Sequence, residues 1–192
     1  NFAYKHNIKY ILNGGNFSTE CVQYPQEWFY YGTDMVHIKD IKKKFGTSKM
    51  ETYPFSSIFR HKIYLKYLRG IHVVKPLNYI PFIKSEAMQL LESEYGWKPY
   101  PQKHFESRFT KFYEGYWLPE RFGYDTRRVQ FSSLILTGQM SREEALEKLS
   151  KPAYDPNTIN EEFNYIATKL GITSDELRGY FTMPKKYFWD YK

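Results

Sequence analysis

The chain has 192 residues, of which 42% are hydrophobic and 26% charged, the balance of a water-soluble globular protein large enough for its own core. No run approaches the ~20 apolar residues that a membrane span needs, and a single cysteine, Cys21, excludes an internal disulfide and a cysteine-rich zinc site. Aromatic residues make up 20% of the chain and the formal net charge is +7, which suits polyanionic partners (nucleic acid, nucleotide-sugars, anionic lipid) but also fits a Tyr-rich core under a mild lysine excess.

The opening NFAYKHNIKYILNGG has neither an apolar h-region nor a small-residue cleavage site, so no signal peptide is expected. With the lone cysteine, this points to a reducing, cytoplasmic setting. The first residue is Asn1 rather than Met, and the expectation is that the sequence begins inside a longer protein or after processing.

Residues 8–12 (IKYIL) form a short apolar run ending at Asn13-Gly14-Gly15-Asn16, the pattern of a buried strand that presents a loop at the edge of a parallel sheet. Residues 34–45 predict an amphipathic helix closed by Gly46. Pro54 is expected to open the next helix, with Ile58, Ile63, Leu65 and Leu68 among its apolar positions and Gly70 at its end. The run IHVVKPL then reads as a second strand, followed by a helix with Ile83, Ala87, Leu90 and Leu91 at helical spacing and Gly96 as terminator. Strand, helix, strand, helix predicts an α/β fold with a partial parallel sheet.

After Pro99 the pattern becomes helical, with segments expected near 103–117, 127–137, 141–150, 159–170 and 173–181. Ser141 with Glu144 forms a capping-box signature, and Thr173 or Ser174 precedes DELRGYF in the same manner. The expected organisation is a nucleotide-binding α/β part at 1–98 and a helical substrate-recognition region at 99–192.

Two stretches carry candidate chemistry. In the loop after the first strand, Gly14 and Gly15 would let backbone N–H groups approach a phosphate or adenine, while Asn16, Ser18 and Glu20 could bond ribose or metal-bound water; a simple turn is the alternative. Further on, His104, Arg108 and Lys111 are expected on one helical face beside Phe105, Phe109 and Phe112, followed by Arg121, Asp125, Arg127 and Arg128. Arginines at this density could grip phosphates bidentately. A solvated face of Glu–Lys pairs is the alternative, and the interleaved His, Ser, Thr and aromatics favour a sugar-phosphate pocket. His6, His37, His61 and His72 have no partner spacing, Cys21 has no activating neighbours in sequence, and no metal site is expected.

At these residues the chain resembles a known family. The block KHFESRFTKFYEGYWLPERFGYDTRRVQFSSLILTGQMSREEAL, with NIKYILNGGNFSTE and VVKPLNYIPF before it, is similar to the N-acetyl sugar amidotransferases of lipopolysaccharide O-antigen biosynthesis. That family in turn resembles the PP-loop ATP pyrophosphatases, with an adenine nucleotide alpha hydrolase-like fold. The resemblance implies adenylation of an acetamido or carboxamide oxygen by ATP with Mg2+, then displacement of AMP by ammonia to give an amidino sugar. It also implies a glutaminase partner that supplies the ammonia, and a cyclase-like partner. Gly14, Gly15, Asn16 and Glu20 look like part of the nucleotide side, although the spacing to Glu20 departs from the family pattern. Lys103, His104, Glu106, Arg108, Lys111, Arg127 and Arg128 look like the side that binds the nucleotide-sugar.

The family's SGGxDS phosphate loop and its cysteine pairs have no counterpart in this sequence. They are expected upstream of Asn1, so the chain alone is expected to be inactive. Two further readings are a tRNA-binding relative, suggested by the pI of about 9.2, and a non-catalytic scaffold for a glutaminase.

Overall fold

The computed structural model describes residues 2–53 and 55–192. In chain order the elements are α1 (Phe2–Lys5), β1 (Tyr10–Leu12), α2 (Phe17–Glu20), α3 (Met35–Phe45), a π-helix (Arg60–Leu68), β2 (His72–Val74), a 3-10 turn (Pro76–Asn78) and α4 (Lys84–Tyr95). Then come α5 (Arg108–Phe112), a second π-helical stretch (Tyr113–Trp117), α6 (Leu118–Phe122), α7 (Arg127–Leu136), α8 (Arg142–Leu149), α9 (Ile159–Leu170), α10 (Ser174–Thr182) and a 3-10 turn (Phe188–Asp190). The described residues are thus mostly helical, with one two-stranded parallel sheet. They form two compact units: one takes in the chain up to Asn16, Tyr24–Ile80 and Lys185–Lys192, the other Phe17–Gln23 and Pro81–Pro184.

In the first unit the two expected strands pair in parallel, Tyr10 opposite His72, Ile11 opposite Val73 and Leu12 opposite Val74. The ladder continues at both ends, where His72 N–H donates to the Lys9 carbonyl (2.7 Å) and Asn13 N–H to the Val74 carbonyl (2.9 Å). The first strand is not buried as its apolar run suggested: Tyr10 is 67% exposed and Leu12 74%. Burying both faces of a parallel strand takes helices packed on each side, and a lone pair of strands does not bury its own side chains.

Asp34 caps α3, one carboxylate oxygen accepting from the Val36 and His37 amides (3.0 and 3.2 Å) and the other from the Tyr30 hydroxyl (2.8 Å). The Tyr30 bond and then the His37 amide hold Asp34 below the usual aspartate range, while the same carboxylate pushes Tyr30 up. Gly46 ends the helix as expected, its N–H returning to the Lys42 carbonyl. The helix expected from Pro54 differs. Pro54 lies outside the described residues, the regular stretch at Arg60–Leu68 is π-helical, and Ile58, Ile63 and Leu68 are exposed rather than packed.

In the second unit α4 ends at Gly96, whose φ of +62° lets its own N–H and that of Trp97 return to the Glu92 and Leu91 carbonyls. The helical stretch from α5 through α6 lays Phe112, Tyr116 and Trp117 against Phe163, Ile166, Ala167 and Leu177 of α9 and α10. The rings meet mostly edge to face, with Phe112 and Phe163 centroids 5.1 Å apart at 86°. A second cluster joins Phe131 and Leu134 of α7 to Ala145 of α8. The segment carrying α2 is tied to α7, where the Ser133 hydroxyl accepts from Val22 N–H (3.0 Å) and the Thr137 hydroxyl donates to the Ser18 carbonyl (2.7 Å).

The caps read from sequence are present at Ser141 and Thr173, which accept from the Glu144 and Glu176 amides at 3.0 and 3.1 Å. Glu144 does not complete the reciprocal half of its box, because its carboxylate is drawn to Lys148 at 2.7 Å. Ser141→Ala is therefore expected to lower stability by about 1 kcal/mol, the value of one helix cap. Urea unfolding measures this, and an unchanged midpoint would show that the α8 amides are satisfied without the hydroxyl.

Candidate functional site

The helix expected over 103–117 begins only at Arg108, because the Ser107 hydroxyl caps it by accepting from Thr110 N–H (3.3 Å). Residues 103–106 form a turn, and His104 within it has φ of +70°, a conformation that side-chain-bearing residues rarely adopt. His104 therefore does not share a helical face with Arg108 and Lys111, which corrects the spacing argument made from a continuous helix.

The turn instead aims His104 at Glu114. Nδ1 lies 3.2 and 3.3 Å from the two carboxylate oxygens, so the Nδ1–H tautomer donates to the carboxylate and leaves Nε2 available. The Glu114 side chain is 11% exposed and accepts a second hydrogen bond from the hydroxyl of Thr126 (3.3 Å), itself 2% exposed. Glu114 sits in the π-helical turn Tyr113–Trp117, a widened geometry that recurs at functional sites. Burial, with the Glu114 charge adding, raises the neighbouring Tyr113 hydroxyl above its ordinary range. Beside this turn, Gln102 donates to the buried Gln130 side chain.

Lys103 forms a 2.5 Å ion pair with Glu20. Lys84, at the start of α4, is half-buried; desolvation first, then the nearby charges of Lys103 and Lys148, push its ammonium below the usual lysine range. Three lysines thus share one neighbourhood, offset by Glu20 on Lys103 and Glu144 on Lys148.

The arginines are used differently from one another. Arg108 is partly exposed, pairs with Glu162 (2.8 Å) and lies 3.7 Å over the Tyr165 ring; the Glu162 hydrogen bond raises its pKa further. Arg127 is only 9% exposed and all three guanidinium nitrogens are engaged. Nε and Nη2 hold the Asp125 carboxylate (3.0 and 2.7 Å), and Nη1 donates to the carbonyls of Lys148 and Lys151 (3.0 and 2.9 Å). Arg128 and Glu106 are exposed and Lys111 is half-exposed, and none of the three has a side-chain ion pair among the described residues. The fold thus brings together His104 with Glu114 and Lys103 with Glu20, but draws Arg108 and Arg127 to separate partners.

In the first unit, the loop after β1 is an Asn turn in which Gly15 N–H donates to the Asn13 side chain (2.8 Å). Asn16 is buried and its amide reaches the Gly14 carbonyl (3.4 Å). A Cβ built on Gly14 would meet nothing within 4 Å, so that side of the loop is open space. Among the described residues no group of three His, Cys, Asp or Glu is set to hold a metal ion, and no helix is long and apolar enough to cross a membrane. Cys21 directs its thiol at the Ser133 carbonyl (3.8 Å).

Glu114 and Thr126 were not singled out by sequence. The spacing from His104 to Glu114 follows no helical period because the intervening helix starts at Arg108, and Thr126 precedes α7 outside any motif. The signal in the sequence was a single acid set among the aromatics of FYEGYW.

Residues 106–192 match the model of a family described as LPS biosynthesis protein WbpG-like, C-terminal domain. No curated protein and no solved structure matches the chain.

Proposed function

We propose, from the premise that residues 106–192 belong to the WbpG-like proteins of LPS biosynthesis as their C-terminal domain, that the chain is part of an ATP-dependent amidotransferase. Its substrate is a nucleotide-activated N-acetylated sugar of O-antigen synthesis, on which it forms an amidino group. The observation that carries this reading is the family match over 106–192, together with a histidine–carboxylate pair and unpaired cations in the same stretch.

On this reading Gly14, Gly15 and Asn16 form part of the adenosine side of a PP-loop domain, for which the open side of Gly14 leaves room. ATP, brought with Mg2+ on its phosphates, supplies activation of the amide oxygen. The exposed strands β1 and β2 are what a larger parallel sheet and its helices would cover. Ammonia comes from a glutaminase partner, with a cyclase-like partner beside it, and the location is cytoplasmic.

The acidic sugar nucleotide is expected to meet Lys111 and Arg128 in preference to Arg127, whose donors are occupied. In the protein that includes the phosphate loop, with ATP and an ammonium salt in place of the glutaminase, amidino-sugar formation is followed by mass spectrometry. The double variant Lys111→Glu, Arg128→Glu should raise KM for the sugar about ten- to hundredfold, the range for lost hydrogen bonds to charged groups. No amidino product from the unaltered protein would overturn the amidotransferase reading. Salt-sensitive tRNA retention on a filter would then favour a tRNA-binding relative.

A further inference from the structure

We infer that His104 is a catalytic proton acceptor at the attacking nitrogen and that Glu114 is the residue that positions it. The inference deepens the amidotransfer reading and rests on it. Three independent observations meet at this residue. First, the backbone at residue 104 stands at φ +70°, an uncommon conformation that histidine enters more readily than most side-chain-bearing residues, and it turns the ring away from the helix that follows. Second, the largely covered Glu114 carboxylate, 11% exposed, takes Nδ1 and is itself fixed by the Thr126 hydroxyl, which directs Nε2, on a side chain 40% exposed, toward solvent and any ligand. Third, the carboxylate is presented from a π-helical turn rather than a regular helix.

The charged groups around this imidazole are Glu114 on the π-helical turn, the Lys103–Glu20 pair next to it in the chain, Glu106 two residues on, and Asp125 beside Thr126, already held by Arg127. Among the side chains in hydrogen-bonding or ion-pairing contact with the ring in the described residues there is only the one carboxylate.

Amidotransfer needs such a base. Ammonia forms a C–N bond to the activated amide carbon, which leaves the new nitrogen with one proton in excess. That proton passes to Nε2 of His104. The C–O bond to the AMP oxygen then breaks with its electron pair, AMP departs, and the C=N bond of the amidine remains.

The left-handed backbone supplies the test variant, because His104→Gly fits φ +70° without strain and is expected to fold. In the protein that includes the phosphate loop, with ATP and an ammonium salt, His104→Gly should lower kcat about a hundred- to ten-thousandfold with KM little changed. Added imidazole should restore part of the lost turnover. Glu114→Gln should lower kcat about ten- to hundredfold, the range for removing a partner that orients an imidazole.

A readout independent of turnover is the 15N spectrum of histidine-labelled protein at alkaline pH. The signal lost in His104→Gly should carry the Nδ1–H pattern in the unaltered protein. An Nε2–H pattern there, turnover by His104→Gly within threefold of the unaltered protein, or absence of imidazole rescue would each overturn the inference. No turnover by the unaltered protein would overturn the amidotransfer reading and this inference with it.

Discussion

Arg127→Ala is expected to destabilise the second unit by about 3–5 kcal/mol, the cost of removing one partner from a buried ion pair. The guanidinium is 9% exposed and holds three separate groups. Its loss would leave the Asp125 carboxylate without its forked partner, and would leave the Lys148 and Lys151 carbonyls, at the end of α8 and just beyond it, without their donor. Asp125 also accepts from Arg127 N–H at 3.1 Å, so the same pair anchors the first turn of α7. Arg127→Lys should recover little, since one ammonium cannot reproduce a planar fork that reaches a carboxylate and two carbonyls together. By contrast, Arg128→Ala, one residue on and exposed, should stay within about 0.5 kcal/mol. Urea unfolding followed by far-UV circular dichroism measures all three. A loss below ~1 kcal/mol for Arg127→Ala would return that arginine to the list of residues free to bind a ligand.

Phe163→Ala is expected to cost a similar amount, about 3–5 kcal/mol, for a different reason. Phe163 is 1% exposed and stands at the centre of the aromatic cluster, with ring centroids 5.1 Å from Phe112, 5.6 Å from Tyr116 and 6.3 Å from Phe181. Arg178 lies 4.3 Å over its ring, so truncation removes a cation–π contact along with the packing. Large rigid rings held on three sides cannot close the space left behind, and the cavity penalty adds to the lost transfer energy. Phe163→Leu, which fills most of that volume, should lose clearly less. Equal losses for the two variants in thermal unfolding would show that the cluster relaxes rather than holding a cavity.

Short-range chemistry was legible from the sequence. Gly96 and Gly46 mark the ends of α4 and α3, and Ser141 and Thr173 the starts of α8 and α10, because a cap involves residues only three or four apart. The two strands were legible because each is an apolar run closed by Gly or Pro, and their parallel pairing followed from the helix-sized stretch between them. The resemblance in the block from Lys103 onward is matched by the family model over 106–192.

What tertiary structure decided is how each charge is used. Arg108 and Arg127 look alike in sequence, yet one lies partly exposed against Glu162 and Tyr165, while the other is locked by groups 21 and 24 residues away. The exposure of β1 could not be read from its composition, since burial of a strand depends on what covers the sheet. The same holds for the left-handed turn at His104 and the widened turn at Glu114. Histidine enters the left-handed region more readily than most residues, but its meeting with Glu114 and Thr126 rests on contacts between residues 104, 114 and 126, which no sequence period links. The residue types and the caps were set by the sequence; which acid faces which base was set by packing, because hydrogen-bond partners are chosen by distance in space.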